Sequence, residues 1–263
     1  MMSDTVTKQK RNNRFRKPLI FTLILLPITA LASYFTVLMS LSSLDPSAVE
    51  EAIKQVGSRE SVILVSMIQP VLLALVCGFF GYIFSENLGL MRRFQIEKKP
   101  FLITLIASLI GGAVLSLDAW TFARWIPQLS DSYQAAGTFE PITWIASVLY
   151  GGIIEEVMLR LFFMSLLALL VWKIFFRKKE TVPTGVLIGA NIAAAVLFAA
   201  EHLPSTMMTF GELTPLMVVR CFLLNGAFGL LFGRLYRKYG IQYAMLAHML
   251  LHIVSRTVWL IAF

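Results

Sequence analysis

The sequence predicts an all-α, polytopic bundle of about seven transmembrane helices, or eight, with its N-terminus in the cytoplasm, on three observations. Hydrophobic residues make up 57% of the 263 and charged residues only 14%, with a mean hydropathy of +0.75; a soluble domain carries roughly a quarter charged residues. The few charges gather in short clusters between apolar runs, each near or above the roughly 20 residues that a spanning helix needs. Positive charge also alternates from one connection to the next, as the positive-inside rule requires.

The chain opens on a basic tail, residues 1–18, with Lys8, Lys10, Arg11, Arg14, Arg16 and Lys17. The first apolar run covers about Leu19–Leu44. Ala30-Leu31-Ala32 resembles a secretory cleavage site, but apolar sequence continues past it to Leu41, so a retained helix is the preferred reading. Further runs cover about Ser61–Phe84, Phe101–Ile126, Pro141–Phe176, Thr184–Leu203, Pro215–Tyr236 and Ile241–Phe263. Residues 19–140 are thus N-terminal transmembrane helices. The run Pro141–Phe176 is too long, since about 36 residues of α-helix measure roughly 54 Å against a hydrocarbon core of about 30 Å. It must tilt, protrude or break, and Gly151-Gly152 is the expected break point.

The second, fourth and sixth connections are basic, through Arg92, Arg93, Lys98 and Lys99, then Lys173, Arg177, Lys178 and Lys179, then Arg234, Arg237 and Lys238. The alternate connections are poor in positive charge: acid outweighs base over Ser43–Glu60, and Pro127–Glu140 and Pro204–Thr214 contain no Lys or Arg. Seven spans with the N-terminus inside satisfy every connection. The net charge of +8 is therefore accounted for by topology and implies no nucleic-acid partner. Cys77 and Cys221 fall within apolar runs and read as small buried hydrophobes, giving neither a disulfide framework nor a thiolate metal site.

An ionisable group inside a bilayer costs several kcal/mol unless it is paired or solvated, so each is a functional hypothesis. Glu155, Glu156 and Arg160 lie in the fourth run, Glu201 and His202 near the end of the fifth, and His248, His252 and Arg256 in the last. All three histidines of the protein are in this set. Glu156 and Arg160, four apart, share a helix face and can pair. Glu155 is about 100° away and escapes that partner, which leaves its carboxylate for general-base chemistry. His248 and His252 project from one face.

Glu155-Glu156-Val157-Met158-Leu159-Arg160 matches the EExxxR motif of the CAAX-processing and bacteriocin-processing (CPBP, or ABI) intramembrane endopeptidases. Phe198-Ala199-Ala200-Glu201-His202 matches their FxxxH motif, and His248-Met249-Leu250-Leu251-His252 stands where they carry HxxxN. Residues 141–256 resemble this family, so that 141–263 reads as a CPBP-like catalytic membrane core. The resemblance implies that Glu155 activates water, that His202 and His248 hold the water and the developing oxyanion, that His252 supplies a further donor, and that Glu156 and Arg160 brace the site. His252 departs from the usual asparagine, and three histidines with a glutamate also resemble a zinc shell; metal-free hydrolysis is preferred, with zinc on Glu155, His202, His248 and His252 as the alternative.

The predicted function is hydrolysis of a peptide bond in a membrane-associated peptide or protein, by an integral multi-pass enzyme of a bacterial plasma membrane with the lipid bilayer as its second partner. A proton or metal-ion transporter and a catalytically silent scaffold or immunity protein of the same fold are the alternatives. Counting from the cytoplasmic ends sets His202 about 27 Å and His248 about 10 Å along parallel helices, a mismatch that the structure must resolve. Glu201 is expected at the interface, outside the catalytic set. Arg124, Arg220 and Arg256 are expected to snorkel outward, Asp118 to pair with one of them, and Gly111, Gly112, Gly226 and Gly229 to mark close helix contacts.

Overall fold

A computed structural model describes residues 2–263 and, Ala135 apart, the side chains from Phe15 onward; the basic side chains of Lys8, Lys10, Arg11 and Arg14 lie outside the described residues. Among the described residues there is no strand. The helices are α1 (Met2–Ser43), α2 (Pro46–Val56), α3 (Arg59–Asn87), α4 (Lys98–Ser116), α5 (Pro127–Ala135), α6 (Pro141–Ala146), α7 (Ser165–Phe175), α8 (Thr184–Phe210), α9 (Pro215–Tyr239) and α10 (Ile241–Ala262). Seven helical stretches are long and apolar enough to cross a membrane: Phe15–Ser43, Arg59–Asn87, Lys98–Arg124, Pro141–Phe175, Thr184–Phe210, Pro215–Tyr239 and Ile241–Ala262. The chain is an integral, multi-pass membrane protein.

Local chemistry starts these helices where the sequence changes character. Proline stands at the first turn of α2, α5, α6 and α9, where its missing N–H costs nothing. Ser58 and Thr214 cap α3 and α9 by accepting from the amides of Ser61 and Met217. The fifth span runs seven residues beyond the expected end at Leu203. Pro204 removes the N–H that would reach the Ala200 carbonyl, yet the helix continues to Phe210, with the hydroxyls of Ser205 and Thr206 donating to the carbonyl of His202. It stops at Gly211, whose φ of 75° is left-handed and whose N–H reaches the carbonyl of Met207.

The overlong fourth span does not break at Gly151-Gly152. It is continuous over 35 residues because two stretches between α6 and α7, Ser147–Glu155 and Val157–Met164, are wound as π-helix. Closing each turn with an i→i+5 bond takes more residues per turn, so the same run covers less height. The glycines instead admit α10. A Cβ on Gly151 would lie 2.8 Å from Nε2 of His252, and one on Gly152 would overlap the side chain of Met249.

This π-wound span is the centre of the bundle, packed against α1, α3, α8 and α10. Val157, Leu161, Met164 and Ala168 form the main core with Ala190 and Ala194 of α8, Phe232 and Tyr236 of α9, and Ala244, Ala247 and Leu251 of α10. The outer faces of α3 and α8 keep Leu64, Ile68, Leu72, Ile188, Ile192 and Val196 exposed, as a lipid-facing surface should. Gly112 admits Val254 and Gly229 admits Ala195, as expected, and Gly111 sits against Phe228, but a Cβ on Gly226 would meet nothing within 4 Å.

Two of the three arginines expected to snorkel do not. Arg220 is tied to the fully buried carboxylate of Asp118, with Nε at 3.0 and 2.9 Å from its two oxygens, and Tyr133 also donates to that carboxylate. Burial and the Asp118 charge push the Tyr133 hydroxyl far up, which keeps it a donor. Arg256 turns inward and donates to Ser147. Arg124 is exposed, at the end of the third span.

Candidate active site

The site is built on the π-wound span and α10, with α8 and α9 completing it. The i, i+4 spacing of Glu156 and Arg160 delivers the expected ion pair, Nη1 to Oε1 at 3.0 Å, with both side chains fully buried. Arg160 is also sandwiched by aromatic faces, its guanidinium carbon 4.5 Å from the Phe198 ring centre and 5.4 Å from that of Phe232. The rings face N–H groups that have no hydrogen-bond partner.

A chain of hydrogen bonds runs from this pair into α10. Oε1 of Glu156 also accepts from Nδ1 of His248 at 2.9 Å, and Nε2 of His248 lies 3.1 Å from Nε2 of His252. The chemistry of the partners fixes the tautomers. A carboxylate already bound to a guanidinium accepts, so Nδ1 of His248 carries its hydrogen; Nε2 of the neutral ring is then a lone pair, which takes the Nε2–H of His252. His248 is 3% exposed and stacks on Phe232, so the ring is held by both nitrogens and by one face. His202 is oriented similarly: its Nδ1 donates to the Phe198 carbonyl at 2.7 Å, leaving Nε2 as the lone-pair nitrogen.

Glu155 escapes Arg160, as its spacing predicts. The wider π winding nonetheless turns both adjacent glutamates toward His248, and Oε2 of Glu155 lies 4.0 Å from Nε2 of that ring. Glu155, His202, His248 and His252 line a single cavity of about 320 Å³. The depth mismatch disappears because α8 and α10 align at their far ends: Thr209 of α8 and Trp259 of α10 line one cavity there. Glu201 is exposed and is not among the residues lining that cavity.

Other helices supply residues that the motif reading did not single out. Thr36 and Ser40 of α1, Tyr150 and Ser147 of the π-wound span, and Asn225 of α9 all line the same cavity. Asn225 directs Nδ2 toward the sulfur of Cys221 at 3.4 Å, a weak acceptor, and Tyr150 makes no hydrogen bond among the described residues. An amide alone in an apolar span is the sequence signal for Asn225. Tyr150 becomes visible once the π winding is known, five residues before Glu155 and therefore on its face.

The donor set also bears on zinc. Among the described residues, no three His, Cys, Asp or Glu side chains are arranged to hold a metal ion. Nε2 of His248 and Nε2 of His252 lie 3.1 Å apart, and the Glu155 carboxylate is 4.0 Å from the former.

A polytopic helical membrane protein with a carboxylate and three histidines lining one cavity falls in the class whose ionisable groups inside the span mark a functional site. The family comparison narrows this class. Residues 137–254 match the model of the family described as Type II CAAX prenyl endopeptidase Rce1-like, and that segment includes all three motifs that resemble the CPBP endopeptidases. This is a peptidase family. No curated protein and no solved structure matches the chain.

Proposed function

We propose that the chain is an intramembrane endopeptidase in which Glu155 activates a water that attacks a peptide carbonyl of a membrane-associated peptide or protein. The observation that carries this reading is the shared cavity: Glu155 lies free of the Glu156–Arg160 pair, beside two histidines whose Nδ1 atoms are each fixed by a backbone or carboxylate acceptor. Glu155 takes one proton of the water, and Nε2 of His202 accepts a hydrogen bond from the other. Hydroxide adds to the carbonyl carbon, and the protonated Glu155 then gives its proton to the leaving amine as the C–N bond breaks. His248 holds the wall against Glu155, and His252 fixes the ring of His248.

The oxyanion needs N–H or O–H donors. The neutral rings of His202 and His248 present lone pairs, so the amide of Asn225 and the hydroxyl of Tyr150 are the available groups. Residues 141–263 act as the catalytic core, residues 19–140 supply the α1 wall of the cavity, and the basic connections support a cytoplasmic N-terminus with residues 1–18 on that side. The family name points to prenylated substrates; the cavity asks only for a peptide bond presented at membrane depth.

The test is cleavage of a pool of lipid-anchored synthetic peptides in liposomes, read by mass spectrometry. Wild type is expected to release defined products and Glu155→Gln none, with both proteins equally stable in detergent. Cleavage that survives Glu155→Gln refutes the assigned base, and proton or metal-ion flux without cleavage supports a transporter instead.

A further inference from the structure

The outer face of α3 carries polar groups where a lipid-facing helix should show only hydrocarbon. Its inner face is fully used: Ala74, Cys77, Gly78 and Gly81 are buried, α3 packs on α1 and the π-wound span, and a Cβ on Gly81 would lie 2.9 Å from the backbone of Leu161. On the other side Val65, Ile68, Gln69, Leu72, Leu73 and Val76 line one shallow, open groove in which Gln69 is exposed. Gln69 stands about 15 Å along α3 from Arg59, near half the depth of a hydrocarbon core. Its amide makes no side-chain hydrogen bond among the described residues, and neither does the exposed hydroxyl of Ser66, one turn back. Other hydroxyls within the spans, those of Thr22, Thr36 and Thr257 among them, donate to the carbonyl four residues before them. Pro70 has no N–H to give the Ser66 carbonyl, which adds a third polar group at the same level. In lipid such groups find no water, so a partner for them must come from protein.

We propose that this face of α3 is the interface with a second copy of the chain, and that Gln69 sets its register. Val65, Gln69, Leu72 and Val76 follow one another at steps of four, three and four, the a/d seam of a left-handed helix pair, with Ile68 and Leu73 flanking it. A seam that is apolar except for one amide at an a position fixes alignment, because any slip leaves the amide opposite hydrocarbon. Topology and chemistry together name the occupant. Every copy is inserted under the same bias of basic connections, so two α3 helices related by a two-fold axis along the membrane normal run parallel and present Gln69 at equal depth. A primary amide both donates and accepts, so Gln69 can bond its own image, the N–H of each to the C=O of the other. No other partner is assured of a matching group at that level. No α3 residue lines the cavity that holds Glu155, so pairing and hydrolysis are separable.

The test is self-association of the full chain in liposomes, read by single-molecule photobleaching as the protein-to-lipid ratio is varied. Wild type is expected to pass from monomer to dimer as its density in the bilayer rises. Gln69→Leu is expected to need about tenfold higher density, the size of one hydrogen bond between membrane helices, and Gln69→Asn, which keeps a shorter amide, to fall between them. In a Cys77→Ser/Cys221→Ser background, oxidation is expected to cross-link copies that carry Val65→Cys, Gln69→Cys, Leu72→Cys or Val76→Cys. Copies that carry Ile192→Cys, on the exposed face of α8, are expected to stay single. Wild type that remains monomeric at every density overturns the inference whatever the variants do. So do dimers that Gln69→Leu leaves as strong as before, and cross-links at Ile192 rather than along the seam. Photo-cross-linking from position 69, in native membranes, to a different protein and never to a second copy overturns it as well.

Discussion

Replacing Arg160 by Met tests whether the buried network behaves as charged. The substitution keeps a flexible apolar chain between Phe198 and Phe232 but strips Glu156 of its guanidinium partner, in a place where neither side chain has any exposure. Removing one member of a buried pair costs about 3–5 kcal/mol, because the remaining charge is left uncompensated. The double variant Glu156→Gln/Arg160→Met removes that charge and keeps an amide oxygen where Oε1 of Glu156 accepts from His248. It should lose only about 1–2 kcal/mol, the packing share of the change. Unfolding in lipid-detergent bicelles, followed by steric trapping, measures both. The double variant is expected to be more stable than the single one by about 1–4 kcal/mol, the difference between the two costs. A single variant within 1 kcal/mol of wild type, or a double variant no better than the single, would refute the reasoning.

Asn225→Ala is expected to lower kcat by about 10²–10³ with little change in KM, the loss typical of one oxyanion donor, and single-turnover cleavage checks it. Gly151→Ala drives a methyl group into His252, where a Cβ would stand 2.8 Å from Nε2; about a tenfold loss of activity with preserved helicity is expected, from kinetics and circular dichroism on one sample. Outside the membrane, Asp45 caps α2 by accepting from the hydroxyl and amide of Ser47, which holds its carboxyl below the ordinary range. A depressed carboxylate stabilises fully above its unfolded value and loses that contribution as pH falls through its folded value. Hydrogen-exchange protection of α2 amides should therefore fall in that acid window, and Asp45→Asn should abolish the pH dependence.

The sequence made some of this legible and hid the rest for physical reasons. Seven spans are visible because hydropathy is a property of local runs, and Glu156–Arg160 is visible because a four-residue spacing is decided within one helix. The partner of Asp118 is not, since Arg220 lies 102 residues away and Arg124 and Arg256 carry the same charge. The π winding is hidden because an apolar run looks the same in either helix; only its excess length betrays it. Arg256 was misplaced at the interface because snorkelling is the usual fate of an arginine near a span end, and nothing local says that a polar cavity lies beside it. Pro204 looked like a helix end because proline commonly closes a helix, yet this one runs on to Phe210.

The π-wound span makes residue count a chemical variable. An inserted or deleted residue in a loop changes only its reach. Between Ser147 and Glu155, deleting one residue would let the stretch tighten to an ordinary α-helix, whose shorter turns take up the loss so that the flanking helices keep their facing. Within the stretch, the five-residue spacing that sets Tyr150 on the wall it shares with Glu155 would be gone, while the lipid-facing outline of the bundle stayed nearly unaltered. The fourth span thus works as a geared shaft whose tooth number, more than its polarity, keeps the carboxylate in mesh with the rest of the machine.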